Sequence, residues 1–462
     1  MQGEIAVLRF GLGARPGEIK QAAADPRGWL KSQLHGPVTP ASSVGLARAD
    51  QILRGYLASK AQRRELKKAA VSDGGAHGDA VNPVKEAYLP HYRAQVLARA
   101  QAATSTSRPF AERLTHFWSN HFAVSADKAV VAGIAGTVEN EAIRPHVCGR
   151  FRDMLMAVER HPAMIAFLDN QSSVGPNSRA AQVARRRREL GINENLAREI
   201  MELHTLGVNG GYTQRDVTAF AKVLSGWSIG GMHGHEGVEN QEAGQFLFRD
   251  NLHEPGTQTL LGRRFSDDGV EQGDAVLHFL ANHPSTARFI ATKLVRHFVS
   301  DDPPAALVER VAAAYRASDG SLPAVYHALL HEDSAWDVTP RKFKTPDDLV
   351  FSTLRAFDAA PTDPQELLRS FEFLGQRPFT PGSPAGWPDA SRNWDGSDAL
   401  MHRIVWANGI AERFDHGTDP VIVCKDSLGS YARRETLASV RRAASASQAL
   451  ALMVMSPEFQ RR

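Results

Sequence analysis

The chain has 462 residues, of which 54 are Lys or Arg and 51 are Asp or Glu, so its formal net charge is +3. This near balance argues against a protein that wraps nucleic acid, and 42% apolar residues is ordinary for a globular chain. Two cysteines, Cys148 and Cys424, exclude a disulfide scaffold or a thiolate-rich metal cluster. No apolar stretch is as long as the about 18 residues that a membrane-spanning helix requires. The chain as written is therefore expected to be cytoplasmic, or exported if a leader has been removed.

Helical periodicity covers most of the chain, because apolar residues recur at intervals of three and four positions. The segments with this pattern are 19–34, 46–70, 84–103, 109–122, 130–143, 151–168, 194–206, 214–224, 273–280, 285–299, 305–317, 322–330, 347–357, 398–413 and 445–455. Thr213 and Asp216 form the signature of a capping box at one helix start, with Asp in place of the usual Glu. We expect one large helical domain over 1–462. Its possible subdivisions are 1–170, 171–300 and 301–462.

Three segments lack this periodicity. Segment 227–250 has a Gly- and His-rich centre, with His233 and His235, between two short apolar runs, which predicts a small β-hairpin. Segment 172–188 is expected to be a loop that runs into an arginine-rich helix start, and 375–394 contains too many Gly and Pro residues for regular structure. The predicted fold class is therefore all-α, with a small β-hairpin insertion and long ordered loops.

The segment 193–207 predicts a helix with clear ends, because Asn193 is a typical N-cap residue and Gly207 typically follows a helix C-terminus. On a helical wheel Glu199 falls inside the apolar arc, with Glu202 beside it. Burying a carboxylate there costs several kcal/mol unless it is paired, metal-bound or neutral. Glu199 is therefore predicted either to act as a general acid or base that Glu202 modulates, or to pair with an arginine of another helix.

Other polar residues of the same helix extend this candidate site. Asn195 and Arg198 are candidates for positioning a substrate. His204 falls at the edge of the apolar arc, where it is either a metal ligand or a hydrogen-bonded core histidine.

Two histidines in the segment 109–122 suggest a metal site. On a helical wheel, however, His116 and His121 point about 140° apart, and only His121 faces the core. Zinc-binding pairs on one helix usually lie four residues apart, so a spacing of five is a weak metal signal. The alternative is that the aromatic neighbours of His121 pack around it as ordinary core.

Two loop segments carry further candidates. His253 and Glu254 are adjacent, and adjacent His and Glu on a loop suit proton transfer or metal coordination, unless the loop is simply solvated. We take His253 as a catalytic candidate. Trp387 in the turn-rich segment 386–389 is a candidate for gripping a sugar or peptide substrate, the alternative being a packed loop.

The chain lacks the common nucleotide and nucleophile motifs. It contains no G-x-S-x-G elbow, no Walker-type phosphate loop, no kinase motif set and no H-E-x-x-H, and its G-x-G near the start lacks a strand before it. No nucleotide cofactor is expected, whereas a divalent metal remains possible. Nucleic acid is not an expected partner.

The chain resembles a bacterial family known as domain of unknown function 1800. The segments that carry the resemblance are 9–15, 116–122, 193–207, 211–213, 221–227, 253–262, 283–287 and 386–389. They extend over nearly the full chain. The resemblance implies a bacterial protein, often made with an export leader, whose gene commonly neighbours that of an alkaline-phosphatase-like protein.

The resemblance leaves the activity open, and two hypotheses of different kinds follow. One is an enzyme, a hydrolase or transferase that acts on an envelope-associated polymer or its fragments, with or without a metal. The other is a noncatalytic helical scaffold that binds the alkaline-phosphatase-like neighbour in the bacterial envelope.

Overall fold

The computed structural model describes residues 1–72, 83–184, 191–232, 242–414 and 419–462. The structure is 62% helical, with two small two-stranded antiparallel sheets, which confirms the mainly helical fold. The hairpin tip with His233 and His235, and the whole arginine-rich run at 185–188, lie outside the described residues.

The α-helices are Gln2–Glu4, Glu18–Ala23, Pro26–Lys31, Ala49–Ser72, Pro83–Ser105, Pro109–His121, Ala129–Ala132, Ala135–Val138, Phe151–Glu159, Pro162–Phe167, Arg179–Ala184, Asn195–Glu199, Gln214–Leu224, Val270–Ala281, Pro284–Phe298, Ala305–Ala317, Leu322–His331, Pro346–Ala356, Pro364–Phe373, Ser397–Arg413, Pro420–Leu428, Arg434–Arg442 and Ala446–Val454. The π-helical segments are Ile5–Phe10, Glu139–Ile143 and Ile200–Thr205. Short 3-10 turns lie at Ala41–Ser43, Asn170–Ser172, Asp250–Leu252, Asp333–Trp336, Ser391–Asn393 and Gly429–Tyr431.

Two helices expected to be continuous are each divided at a proline. In the segment 19–34, the first helix ends at Ala23, and Asp25 caps the next one by accepting the Gly28 N–H at 2.9 Å. In the segment 151–168, the first helix ends at Glu159, and His161 caps the next one by accepting the Ala163 N–H. Proline at the first position of a helix has no N–H to bond to a preceding turn, so it starts a new helix. The expected helix 130–143 is likewise divided into three shorter segments.

The helix expected at 193–207 changes its winding part of the way along. It is α-helical over Asn195–Glu199 and π-helical over Ile200–Thr205. A π-turn contains more residues than an α-turn, so the helical wheel no longer gives the right direction for the residues after it. His204, expected at the edge of the apolar arc, is in fact fully buried.

The two sheets are both β-hairpins. Trp227–Ile229 pairs with Phe246–Phe248, which confirms the hairpin expected over 227–250. Gln258–Leu260 pairs with Arg263–Phe265, where only a loop was expected. Its two-residue turn has positive φ at Leu261 and Gly262, as a type I′ turn requires, and the leucine obscured that signal in the sequence.

The hydrophobic core has two clusters. The larger contains buried residues between Ile5 and Trp336. The smaller contains buried residues between Leu349 and Phe459, together with Leu12 and part of the helix Pro83–Ser105. Both cysteines are free thiols.

Candidate functional site

A cleft with a volume of about 670 Å³ is lined by residues of both core clusters. Its walls come from the helices Pro109–His121 and Pro284–Phe298, the start of the helix Pro346–Ala356, and the turn-rich segment 376–393. The charged and imidazole side chains in the lining are Arg99, Arg113, His116, His121, Lys293, Arg296, His297, Asp301, Asp302, Asp347, Asp348, Asp389 and Arg392. A concave site with this many titratable groups can bind and chemically activate a polar ligand.

His297 and Asp389 form a carboxylate–imidazole pair in this lining. The His297 Nδ1 atom lies 3.2 Å from Asp389 Oδ1. The His297 Nε2 atom is buried and has no hydrogen-bond partner among the described residues. Burial lowers the pKa of His297 to about 4, against the opposing effect of Asp389, so the ring is neutral at pH 7. Such a pair fixes the tautomer of the ring and leaves its second nitrogen free to accept a proton.

Buried cations hold this pair in place. The Lys342 Nζ atom, which is fully buried, donates to the backbone carbonyl of Asp389 and lies 2.5 Å from Asp301 Oδ1. Arg462 donates to the carbonyl oxygen of His297 at 2.7 Å, and its Nη2 lies 3.7 Å from Asp389 Oδ1. Both members of the pair are therefore fixed through the backbone as well as through their side chains.

A second charge network lies beside the same cleft. The Asp347 carboxylate lies 3.0 Å from Arg99, which pairs with Glu139 at 2.7 Å. Arg144 joins Glu139 to Glu112 through contacts of 2.7 and 2.6 Å. Burial raises the pKa of Asp347 above its usual value although Arg99 opposes the effect. Asp347 is therefore a carboxyl group in the cleft that holds its proton more strongly than an exposed one.

Three potential ligand atoms for a metal ion lie within this second network. Glu112, His116 and Glu139 each offer an atom within 4.8 Å of the others, and no other such group occurs among the residues searched. Both carboxylates already bind arginines, Arg144 in each case and Arg99 as well for Glu139. A divalent cation would have to compete with these guanidinium groups.

Trp387 lies in the cleft lining and is held by Asn120 at the end of the helix Pro109–His121. Asn120 accepts the Trp387 N–H at 2.7 Å and donates to the Trp387 carbonyl at 2.9 Å. The preceding Gly386 has a φ of +81°, and a Cβ there would lie 2.3 Å from the Asn120 carbonyl oxygen. This loop can adopt its position against the helix only with a glycine at 386.

The three histidines expected as metal ligands have different surroundings. His116 Nε2 lies 3.3 Å from Glu112, whereas His121 Nε2 lies 3.1 Å from the carbonyl oxygen of His204. The His204 Nδ1 atom lies 2.8 Å from Glu159, and both side chains are fully buried. His116 and His121 line the cleft, whereas His204 does not. Their metal-binding role stays a prediction.

Glu199 is half-buried and lies outside the lining of the cleft. Burial raises the pKa of its carboxyl group, His204 opposes this shift, and Glu202 adds to it. Glu202 accepts a hydrogen bond from Tyr212 at 3.3 Å. Within the described ranges, no arginine forms an ion pair with Glu199. A raised pKa is what a general acid needs, so that role stays a prediction.

The remaining candidates also lie outside the cleft lining. Arg198 pairs with Glu194 at 3.1 Å, and Asn195 is exposed. His253 is 5% exposed, and its Nδ1 lies 2.9 Å from the carbonyl oxygen of Ser225. The loop that carries His253 is thus packed into the protein rather than solvated.

Sequence reasoning missed the pair His297–Asp389 and the acid Asp347. Asp389 is the last residue of the segment 386–389 that contains Trp387, but neither it nor His297 belongs to a recognisable spacing. The two residues are 92 positions apart, so no local pattern could have joined them.

Comparison with known proteins identifies the family of the chain but no activity. No curated protein and no solved structure matches the chain. In the described part of the chain, no helix is both long and apolar enough to cross a membrane. One family matches residues 5–461, nearly the whole length, and the resemblance noted in the sequence is thereby confirmed. The chain belongs to the DUF1800 family, which is described as a protein of unknown function.

Proposed function

We propose that this protein is an enzyme, a hydrolase or transferase, in which His297 is the general base and Asp389 orients it. The observation that carries the proposal is the 3.2 Å contact between His297 Nδ1 and Asp389 Oδ1 in a cleft, with Nε2 left without a partner among the described residues. A base needs a free nitrogen within reach of the proton that it abstracts, and it needs to be neutral beforehand. His297 has such a nitrogen and lines the cleft, and its lowered pKa keeps the ring neutral at pH 7.

In the proposed reaction, one proton passes from the attacking oxygen to His297, and a second proton passes from an acid to the leaving group. His297 Nε2 takes a proton from a water molecule, or from an acceptor hydroxyl in the transferase case, and the oxygen forms a bond to the electrophilic centre of the substrate. Asp389 stabilises the imidazolium that results. As the bond to the leaving group breaks, that group takes a proton from an acid, for which we propose Asp347 because of its raised pKa. The substrate class, an envelope-associated polymer or its fragments, is proposed from the family resemblance.

The test is a turnover assay with defined probes. Wild-type protein is incubated with p-nitrophenyl acetate, p-nitrophenyl phosphate, p-nitrophenyl N-acetylglucosaminide and soluble peptidoglycan fragments. We expect turnover of at least one probe, and loss of about 100-fold or more in His297→Gln and in Asp389→Asn. His278→Gln, at an exposed histidine of the helix Val270–Ala281, is the matched control. Full activity in a folded His297→Gln variant, or no turnover of any probe, would contradict the proposal.

A scaffold function is the second candidate, because one helix exposes an apolar stripe. Met401, Ile404 and Val405 of the helix Ser397–Arg413 are 58%, 41% and 56% exposed, and their spacing places them on one face. Exposed apolar stripes of this kind often bind another protein. The proposed partner is the alkaline-phosphatase-like protein that the family resemblance implies.

The scaffold function is tested by mixing the two purified proteins. Sedimentation velocity should show a complex that Ile404→Asp and Val405→Asp each abolish, whereas Arg288→Gln, at an exposed residue of another helix, leaves it intact. A mixture that sediments as two separate species would contradict the scaffold function without bearing on the enzyme.

A further inference from the structure

Three cations in the cleft lining have no carboxylate partner in the described part of the chain. Most charged side chains there are paired, as described above for the two networks. Lys293, Arg296 and Arg392 form no ion pair with any residue that the structure describes. Among the acids of the lining, Asp302 alone is also unpaired within those ranges. The lining as a whole holds five cations and five carboxylates, and the cations are in excess among its unpaired charges.

These cations lie close to the proposed base in the fold. Lys293 and Arg296 are three positions apart on the helix Pro284–Phe298, so they share a face, and Arg296 directly precedes His297. Arg392 comes from the 3-10 turn Ser391–Asn393, which follows Asp389 along the chain. The cations thus belong to the same two segments that supply His297 and Asp389.

Lys293 shows the cost of leaving such a group unpaired. Its Nζ lies 5.6 Å from the ring centre of Phe289, a weak interaction that replaces little of the lost hydration. Burial lowers the pKa of Lys293 to about 8, although Asp389 opposes the shift. An anion bound beside Lys293 would restore a partner to the ammonium group, so the cleft favours a negatively charged ligand.

The neighbouring uncharged residues fit a saccharide. Trp387 offers an indole ring on a backbone that Asn120 holds at both its N–H and its carbonyl group, and Asn393 adds an amide to the same lining. An aromatic ring with an apolar face and a polar edge, next to amide groups, suits a sugar, which has an apolar face and hydroxyl groups.

We propose that Lys293, Arg296 and Arg392 bind an anionic group, a carboxylate or a phosphate, of an oligosaccharide substrate and so position it at His297. This inference rests on the proposed function, because it names the substrate class of the same cleft. It assigns the three cations as positioning residues with no part in proton transfer.

The test measures binding separately from turnover, by isothermal titration calorimetry. The probes are tetragalacturonate for a carboxylate, pentamannose phosphate for a phosphate, and uncharged mannopentaose as the neutral control. We expect at least one charged probe to bind at least tenfold more tightly than mannopentaose, and its affinity to fall as NaCl is raised. Lys293→Gln and Arg296→Gln should each weaken that binding at least tenfold. Arg288→Gln, at an exposed residue of the same helix outside the lining, should not change it.

Several results would overturn the inference. One is binding of the charged probes no tighter than that of mannopentaose, and another is unchanged affinity in folded Lys293→Gln and Arg296→Gln proteins. Tighter binding of tetraglutamate than of either charged saccharide would replace the saccharide with an acidic peptide. His297→Gln separates this inference from the proposed function, because it should keep wild-type affinity for the charged probe while turnover is lost. If His297→Gln keeps its turnover but the lysine and arginine variants lose binding, the base is wrong and the anion site stands.

Discussion

Arg144 and Glu112 form a bidentate ion pair in which both guanidinium nitrogens lie 2.6 Å from carboxylate oxygens, and neither side chain is more than 3% exposed. Burial would by itself raise the pKa of Glu112, but Arg144 holds it well below the usual range. Arg144 also binds Glu139, so two arginines, Arg144 and Arg99, balance two buried acids next to the cleft. The shape of this wall therefore depends on Arg144.

Arg144→Met should destabilise the fold strongly, because it leaves the buried carboxylate of Glu112 without its arginine and leaves Glu139 with Arg99 alone. We expect a loss of about 3–5 kcal/mol in the free energy of unfolding, measured by urea denaturation. The control is Arg310→Met, which breaks the more exposed pair with Glu332 and should cost less than about 1 kcal/mol. Equal losses in the two variants would mean that the buried network does not stabilise the fold.

Lys344→Met should stabilise the protein at neutral pH. Lys344 is 3% exposed, and burial lowers its pKa to about 7, with Arg113, Arg462 and Arg403 adding to the effect and Asp348 opposing it. Because the charged form of Lys344 is costly to bury, an apolar side chain of similar length should raise the free energy of unfolding by about 1 kcal/mol, even though it gives up the hydrogen bond to Ser352 at 2.9 Å.

The pH dependence of this effect has a definite sign. The unfolded lysine keeps its proton up to about 10.5, whereas the folded one releases it near 7. Between these values the unfolded state binds more protons, so the contribution of Lys344 to stability rises with pH. The advantage of Lys344→Met over wild type should thus be largest at pH 7 or below and shrink towards pH 10. A difference that stays constant over this range would show that Lys344 is charged in the folded protein.

Gly386→Ala should disturb the loop that carries Trp387. The added Cβ would lie 2.3 Å from the carbonyl oxygen of Asn120, and the φ of +81° disfavours any residue with a Cβ. We expect a loss of about 2 kcal/mol or more in stability and a shift in tryptophan fluorescence. Gly382→Ala in the same segment has open space around the new methyl group and should stay within about 0.5 kcal/mol of wild type.

The pH profile of turnover distinguishes the two candidate bases. With His297 as the base, kcat/KM for a turned-over probe should fall as the pH drops through about 4, because protonation removes the free nitrogen. His297→Gln should remove this fall in kcat/KM at low pH together with most of the activity. Glu199→Gln should keep both, since Glu199 lies outside the cleft lining. The opposite result, with activity lost in Glu199→Gln alone, would restore the site predicted from the sequence.

Local sequence signals were sufficient for much of the secondary structure. The capping box predicted at Thr213 and Asp216 is present, with both of its hydrogen bonds, because the two residues are close in the chain. The hairpin at 227–250 also formed as its apolar runs indicated. At Pro26 and Pro162 the structure starts a new helix inside a segment predicted to be one, because apolar periodicity continues across the proline and conceals the break.

The sequence by itself determined the mainly helical fold, the family, and the presence of His116, His121 and Trp387, which the structure places in the cleft lining. Only the tertiary structure decided which groups meet there. His297 and Asp389 are 92 positions apart, and Asp348 meets Arg462 across 114 positions. The physical reason is that periodicity reports which face of a helix is buried, whereas the partner of a buried charge depends on how distant segments pack.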